Sequence, residues 1–285
     1  MRIRATVAAV SGALALSALV VPAAQADDGR SWSNDHNLSI PKAGAERFAG
    51  STAAAAAEEL PVLTKAVVNG GKPVVVGTKS AQTYSMSVTA SHSTGVFDII
   101  GYVWIGASVE DENSYGILMN EETASCTAVS ATASTCKMTV TFDPAELKNS
   151  DAGTWKVGAF AVSNDGQIGE KDYISKTYLQ RFSKLTANAG PEPVVKGKAV
   201  TVTGKLTRAN WDTGTYLGYT NQPVKLQFRK AGTSTYTTVK TVTSSSTGTL
   251  KTSATASADG YWRYSFAGTS TTPAVSAAGD YLDVR

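Results

Sequence analysis

Two histidines, two cysteines and a scatter of carboxylates are the residues from which chemistry could be built in this 285-residue chain. His36 and His92 stand far apart, and His92 falls in a Ser/Thr-rich stretch that reads as an exposed loop. The chain holds no Gly-x-Ser-x-Gly elbow, no His-Glu-x-x-His pair and no Gly-rich phosphate loop. A Ser-His-Asp set is assembled in space, not in sequence. A hydrolase with such a site is therefore the most distant alternative, and the expected class is non-enzymatic.

The densest carboxylates are Glu110, Asp111 and Glu112, next to Asn113, and Glu121 and Glu122 further on. Ca²⁺ takes six to eight oxygens from carboxylates and loop carbonyls, so this loop is the candidate metal site, and calcium is the only cofactor the residues raise. The spacing is not that of an EF-hand, and a solvated acidic loop is the other reading. A second candidate runs from Arg208 through Trp211 and Tyr216 to Tyr219. Aromatics on loops of a rigid scaffold can stack on sugars; otherwise they pack the loop onto the scaffold. Cys126 and Cys136 could be cross-strand partners in a hairpin centred on Ala131. Two thiols cannot close a zinc site, and in an exported chain the pair is expected as a disulfide.

Export is the expectation from the N-terminus. Arg2 and Arg4 precede an uncharged stretch from Ala5 to Pro22, then Ala24-Gln25-Ala26 and Asp27-Asp28. That order is a signal peptide over residues 1–26, and no later segment reads as a membrane span. Residues 27–60 read as a flexible extension. Charge is uneven beyond it. Residues 61–180 hold eight Lys/Arg against twelve Asp/Glu, net −4, and residues 181–285 hold thirteen against five, net +8. A basic exported segment suits an anionic cell-wall polymer or a glycan, and nucleic acid is not expected. Oligomeric state is not indicated.

The elements that must position these groups are strands. Tyr84, Met86, Val88 and Ala90 alternate with small polar residues, Phe97 to Ile105 is almost wholly apolar, and Trp155, Val157, Ala159 and Ala161 alternate again. After a Pro/Gly-rich junction at 183–193, Val200 and Val202, then Val224, Leu226 and Phe228, repeat the pattern. The expected fold is all-β: two tandem immunoglobulin-like β-sandwiches, over 61–182 and 183–285.

Asp151-Ala152-Gly153-Thr154-Trp155-Lys156-Val157 resembles the Asp-x-Gly-x-Tyr-x-Cys run that opens strand F of immunoglobulin domains. Trp155 replaces the Tyr and Val157 the Cys, so the inter-sheet disulfide of that family is absent. The resemblance implies an aromatic side chain bonded back across the corner before the strand. The second region, through Val200–Leu206, Pro223–Gln227 and Gly260–Tyr264, resembles Ig-like or prealbumin-like modules of bacterial surface proteins. Taken whole, the chain is similar to secreted actinobacterial (Streptomyces-type) proteins of unknown function, some labelled calcium-binding. That resemblance, not composition, implies the calcium label and a role outside the cell.

Overall fold

The computed structural model describes residues 59–285. The signal-peptide reading, and all but the last two residues of the extension, lie outside them. The chain first forms β1 (Val62–Val68), β2 (Val74–Val76), β3 (Gln82–Ser91), β4 (Val96–Ile105), β5 (Tyr115–Leu118), β6 (Ser125–Ala128), β7 (Ala133–Phe142), β8 (Gly153–Ser163) and β9 (Ile168–Arg181). They make two sheets, ordered β1-β3-β7-β6 and β2-β9-β8-β4-β5. All pairs are antiparallel except β2 with β9.

Period-two alternation explains how the sheets close. Val88 pairs with Cys136 and Met86 with Met138, and all four side chains point inward. They meet Ile99, Val103, Trp155, Val157 and Leu179 of the facing sheet in one apolar cluster. Burying one such side chain is worth about 1.5–3 kcal/mol. Trp155 is 0% exposed, and its ring meets Tyr115 and Phe142 edge-on. Its Nε1 donates to the Asp151 carbonyl at 2.7 Å. This is the corner bond that the immunoglobulin resemblance implied, made here by an indole.

The apolar run in β4 divides into two faces. A bulge between Val96 and Asp98 turns Phe97 out to solvent and buries Asp98. The Asp98 carboxylate accepts from the backbone N–H groups of Ile99 and Ala124. Tyr102 and Trp104 then lie with Leu118 and Phe160 in a smaller cluster apart from the main core. Beyond Asp98 the strand is apolar because both of its faces are covered there.

One residue, Phe182, separates β9 from the next strand. The second region comprises β10 (Ser183–Leu185), β11 (Asn188–Gly190), β12 (Ala199–Asn210), β13 (Thr215–Gly218), β14 (Pro223–Lys230), β15 (Thr237–Thr243), β16 (Thr249–Thr255), β17 (Gly260–Phe266), β18 (Val275–Ser276) and β19 (Asp280–Leu282). In one sheet β12 pairs with β10, β11, β13 and β16; in the other the order is β15-β14-β17-β18, with β19 also on β17. Val200, Val202, Leu206 and Leu250 meet Val224, Leu226, Trp262, Tyr264 and Phe266 between the sheets. The stretch 183–193 is no free linker, since β10 and β11 are edge strands of this sheet. The fold is thus all-β, with two packed sandwiches.

Candidate ligand-binding cleft between the sandwiches

The β12–β13 hairpin reaches from the second sandwich into the end of the first. Trp211, at its tip, is 5% exposed and joins the first sandwich's apolar cluster. Its Nε1 donates to the Gly77 carbonyl at 2.8 Å, and its backbone N–H donates to Asn149 Oδ1. Asn149 in turn gives Nδ2 to Asn210 Oδ1 and to Asp212. The expected aromatic platform is therefore not free. Trp211 is a plug that locks the two sandwiches, and Tyr219 is buried in the second core under the Arg208 guanidinium, 4.0 Å from its ring centroid. Of the three aromatic residues only Tyr216 keeps part of its surface.

Beside that plug lies a cleft of about 560 Å³. Gly77 to Ser80 and Gln82 of the first sandwich form one wall, and Lys184 with Gly214 to Tyr216 form the other. Two lysines, Lys79 and Lys184, line it, with no carboxylate. The Lys184 ammonium sits 3.7 Å from the Tyr216 ring centroid, a cation–π contact that holds the charge at the mouth. Gly77 packs closely here: a Cβ would come 3.1 Å from the Tyr216 hydroxyl, which would have to shift by a few tenths of an ångström.

The basic residues of the second sandwich divide by register. Lys184 pairs with Thr207, Lys205 lies two residues before Thr207, and Lys251 pairs with Thr203. These three lysines share the outer face of the β12 sheet, which leads into the cleft. Lys225, Arg229 and Arg263 lie on the outer face of the other sheet, where Arg229 stacks on Tyr261 and Arg263 on Tyr236. Arg208 belongs to neither face. It points inward at the seam, where its Nη1 meets Thr272 Oγ1.

The acidic residues behave differently from the expectation of a shared metal site. Glu121 spends its carboxylate on the backbone N–H and hydroxyl of Thr139, which draw its pKa below the ordinary value against the opposing pull of desolvation. Asp111 accepts from the backbone and side-chain amides of Asn113. Glu110, Glu112 and Glu122 are exposed. Among the described residues no three His, Cys, Asp or Glu side chains are grouped to hold a metal ion. Instead, Glu110 adds to the field on Glu170: desolvation, then the Asp172 carboxylate, then Glu110 push Glu170 up to about 7. Cys126 and Cys136 form a disulfide across the β6–β7 pair.

His92 is not the exposed loop residue that the flanking serines and threonines suggest; it is 3% exposed. The end of β3 turns it under the chain, so that Nε2 meets the Glu59 carbonyl and Nδ1 meets Thr94 Oγ1. Asp165 Oδ1 lies 3.6 Å from Nδ1, and buried Ser163 donates its hydroxyl to that carboxylate. Ser, His and Asp thus come together, but in the wrong order for nucleophilic catalysis. There the imidazole must accept the serine proton; here Ser163 bonds the carboxylate, and the imidazole nitrogens serve Glu59 and Thr94.

Fold and cleft together define an all-β, two-sandwich chain with a cationic cleft at its seam. Residues 74–161, from β2 into β8, match the model of a family of unknown function, DUF5707. No curated protein matches the chain. Among solved structures, the D00–D0 domain of intimin is 15% identical, over 78% of this chain and 99% of that one, with a TM-score of 0.25. The teleost fish polymeric Ig receptor ectodomain is 11% identical, over 79% and 99%, with a TM-score of 0.23. Three N-terminal domains of the bacteriophage RB49 highly immunogenic outer capsid protein are 11% identical, over 79% and 71%, with a TM-score of 0.30.

Proposed function

We propose that this is a secreted, non-enzymatic binding or structural protein that associates with an anionic cell-envelope polymer or glycan. The carrying observation is the cationic path of Lys251, Lys205 and Lys184 into a cleft lined by two lysines and no carboxylate. The disulfide is compatible with an oxidising compartment outside the cytoplasm. The wrong connectivity at His92 supports a non-catalytic role. A polymer lying along the sheet would meet ammonium groups at the spacing of alternate residues, with Tyr216 as the apolar surface at the cleft mouth.

The test is retention of the purified protein on isolated cell-wall sacculi, at low and high salt, with and without EDTA. Retention should fall steeply as salt shortens the screening length from about 10 Å at 0.1 M to about 3 Å at 1 M. The triple variant Lys184→Glu, Lys205→Glu, Lys251→Glu should abolish it. Loss in EDTA alone would put calcium first, and undiminished binding by the triple variant would end this reading.

A further inference from the structure

At the seam, on the opposite side of β12 from the lysine path, Arg181 and Arg208 stand on one face, because Ser183 pairs with Arg208 and Arg181 lies two residues before Ser183. Arg181 closes β9 and is 7% exposed. Its backbone N–H donates to the Thr271 carbonyl and its Nε to the Ala209 carbonyl at 2.6 Å. Its two Nη atoms have no hydrogen-bond partner among the described residues. Among the described residues Trp262 Nε1, in the second core, is the one fully buried side-chain nitrogen or oxygen without a partner, so the Arg181 Nη atoms keep some contact with solvent. Arg208 lies close enough for its charge to act on Arg181; burial and that like charge lower Arg181 to about 10. Burial lowers Arg208 as well.

No carboxylate lies within ion-pairing distance of either arginine among the described residues. Asp212 acts on Arg181 only at longer range, with its oxygens taken by the Asn149 backbone and side-chain amides. Hydroxyls lie on the Arg208 side of the pair. Thr272 Oγ1 meets Arg208 Nη1, and Thr269 Oγ1 meets the hydroxyl of Tyr219, on which Arg208 stacks. Placing two cations side by side in a half-dry seam is costly unless something negative completes them. Planar forks with free N–H groups, beside hydroxyl donors, are the chemistry that recognises an oxyanion. Two positive charges suit a dianion better than a singly charged carboxylate.

We infer that Arg181 and Arg208, with the hydroxyls of Thr269 and Thr272, form a binding site for a phosphate dianion at the seam between the sandwiches. This goes beyond association with a polymer through exposed lysines, because it asks for a saturable site with defined geometry. A bound phosphate would bridge β9, β12 and the 269–272 turn and so tie the two sandwiches together.

The experiment is calorimetric and thermal titration of the mature protein with inorganic phosphate, at constant ionic strength set with chloride. One saturable site and a raised melting temperature are expected. Arg208→Lys keeps the charge but loses the fork, and should weaken binding roughly tenfold or more. Arg181→Gln should abolish it. If that variant does not fold, Arg208→Lys and Thr272→Val carry the test. Lys230→Gln, on an exposed strand end, should bind like the parent. Glycerol 3-phosphate in a parallel arm distinguishes a phosphate ester from free phosphate as the source; tighter binding of either supports the site. No saturable heat at millimolar phosphate, or equal weakening by Arg208→Lys and Lys230→Gln, overturns it. Sacculus retention would survive that failure, because it depends on the lysine path.

Discussion

The first sandwich is acidic and internally braced, whereas the second is basic and braced at its surface. Trp155 has its indole N–H satisfied by the Asp151 carbonyl, deep among aromatic rings. Trp262, its counterpart in the second core, has a buried Nε1 with no partner. Outside, the first sandwich gathers Glu110, Glu170 and Asp172, while the second lays arginines over Tyr236 and Tyr261. The difference lies in where the polar groups are satisfied: the first sandwich pairs its indole inside the core, and the second stacks its arginines on outer-face tyrosines. Trp211 crosses that division, since it belongs to the second sandwich by chain and to the first by packing.

The largest test of the comparison is Trp155→Ala. It removes a fully buried ring and its corner bond, and should destabilise the first sandwich by about 3–5 kcal/mol. Chemical denaturation followed by circular dichroism should show an early transition for that sandwich alone; simultaneous loss of both would mean that they fold as one unit. Trp211→Ala comes next, at about 3 kcal/mol. Its cost should fall on the first sandwich although the residue follows β12, and limited proteolysis should then cut near Gly77. A cut confined to the second sandwich would break the argument that Trp211 is a plug.

Reducing the Cys126–Cys136 bond should cost about 2–3 kcal/mol, because the closed loop is short. The loss should again be confined to the first sandwich and be visible as a lower melting temperature in dithiothreitol.

The smallest effect concerns pH. Glu170 is raised from 4.5 to about 7 by desolvation and the adjoining carboxylates, so the folded state favours its protonated form. That contribution is fully present below pH 4.5 and is lost as pH rises through about 7. Glu170→Gln should therefore melt higher than the parent near pH 8 and equally near pH 4. A difference of the same size at both values would assign the effect to packing.

Strand placement was legible in the sequence wherever one face is buried. The alternation through Met86, Val88 and Ala90 and the Cys126–Cys136 spacing both appear as pairs in register. β4 was harder, since a continuous apolar run does not reveal which residues face out; the bulge that exposes Phe97 leaves no mark on composition. The candidate site was less legible still. Trp211 looked like a platform because it stands among loop residues, and only the position of Gly77 across the seam shows what covers it. Arg181 carried no local signal, since nothing in Leu179-Gln180-Arg181 as a sequence shows that all three are buried. Lys79 carried none.

By itself the sequence determined the class of structure, the local staple and the basic bias of the last hundred residues, because each follows from near neighbours: period-two burial, turn chemistry and net charge. Tertiary structure alone decided which side chains meet. His92 reaches Glu59, Trp211 reaches Gly77 and Arg208 reaches Thr272 across separations of 33, 134 and 64 residues. Such contacts depend on how the sheets close and how one sandwich seats on the next, and no local pattern encodes that geometry.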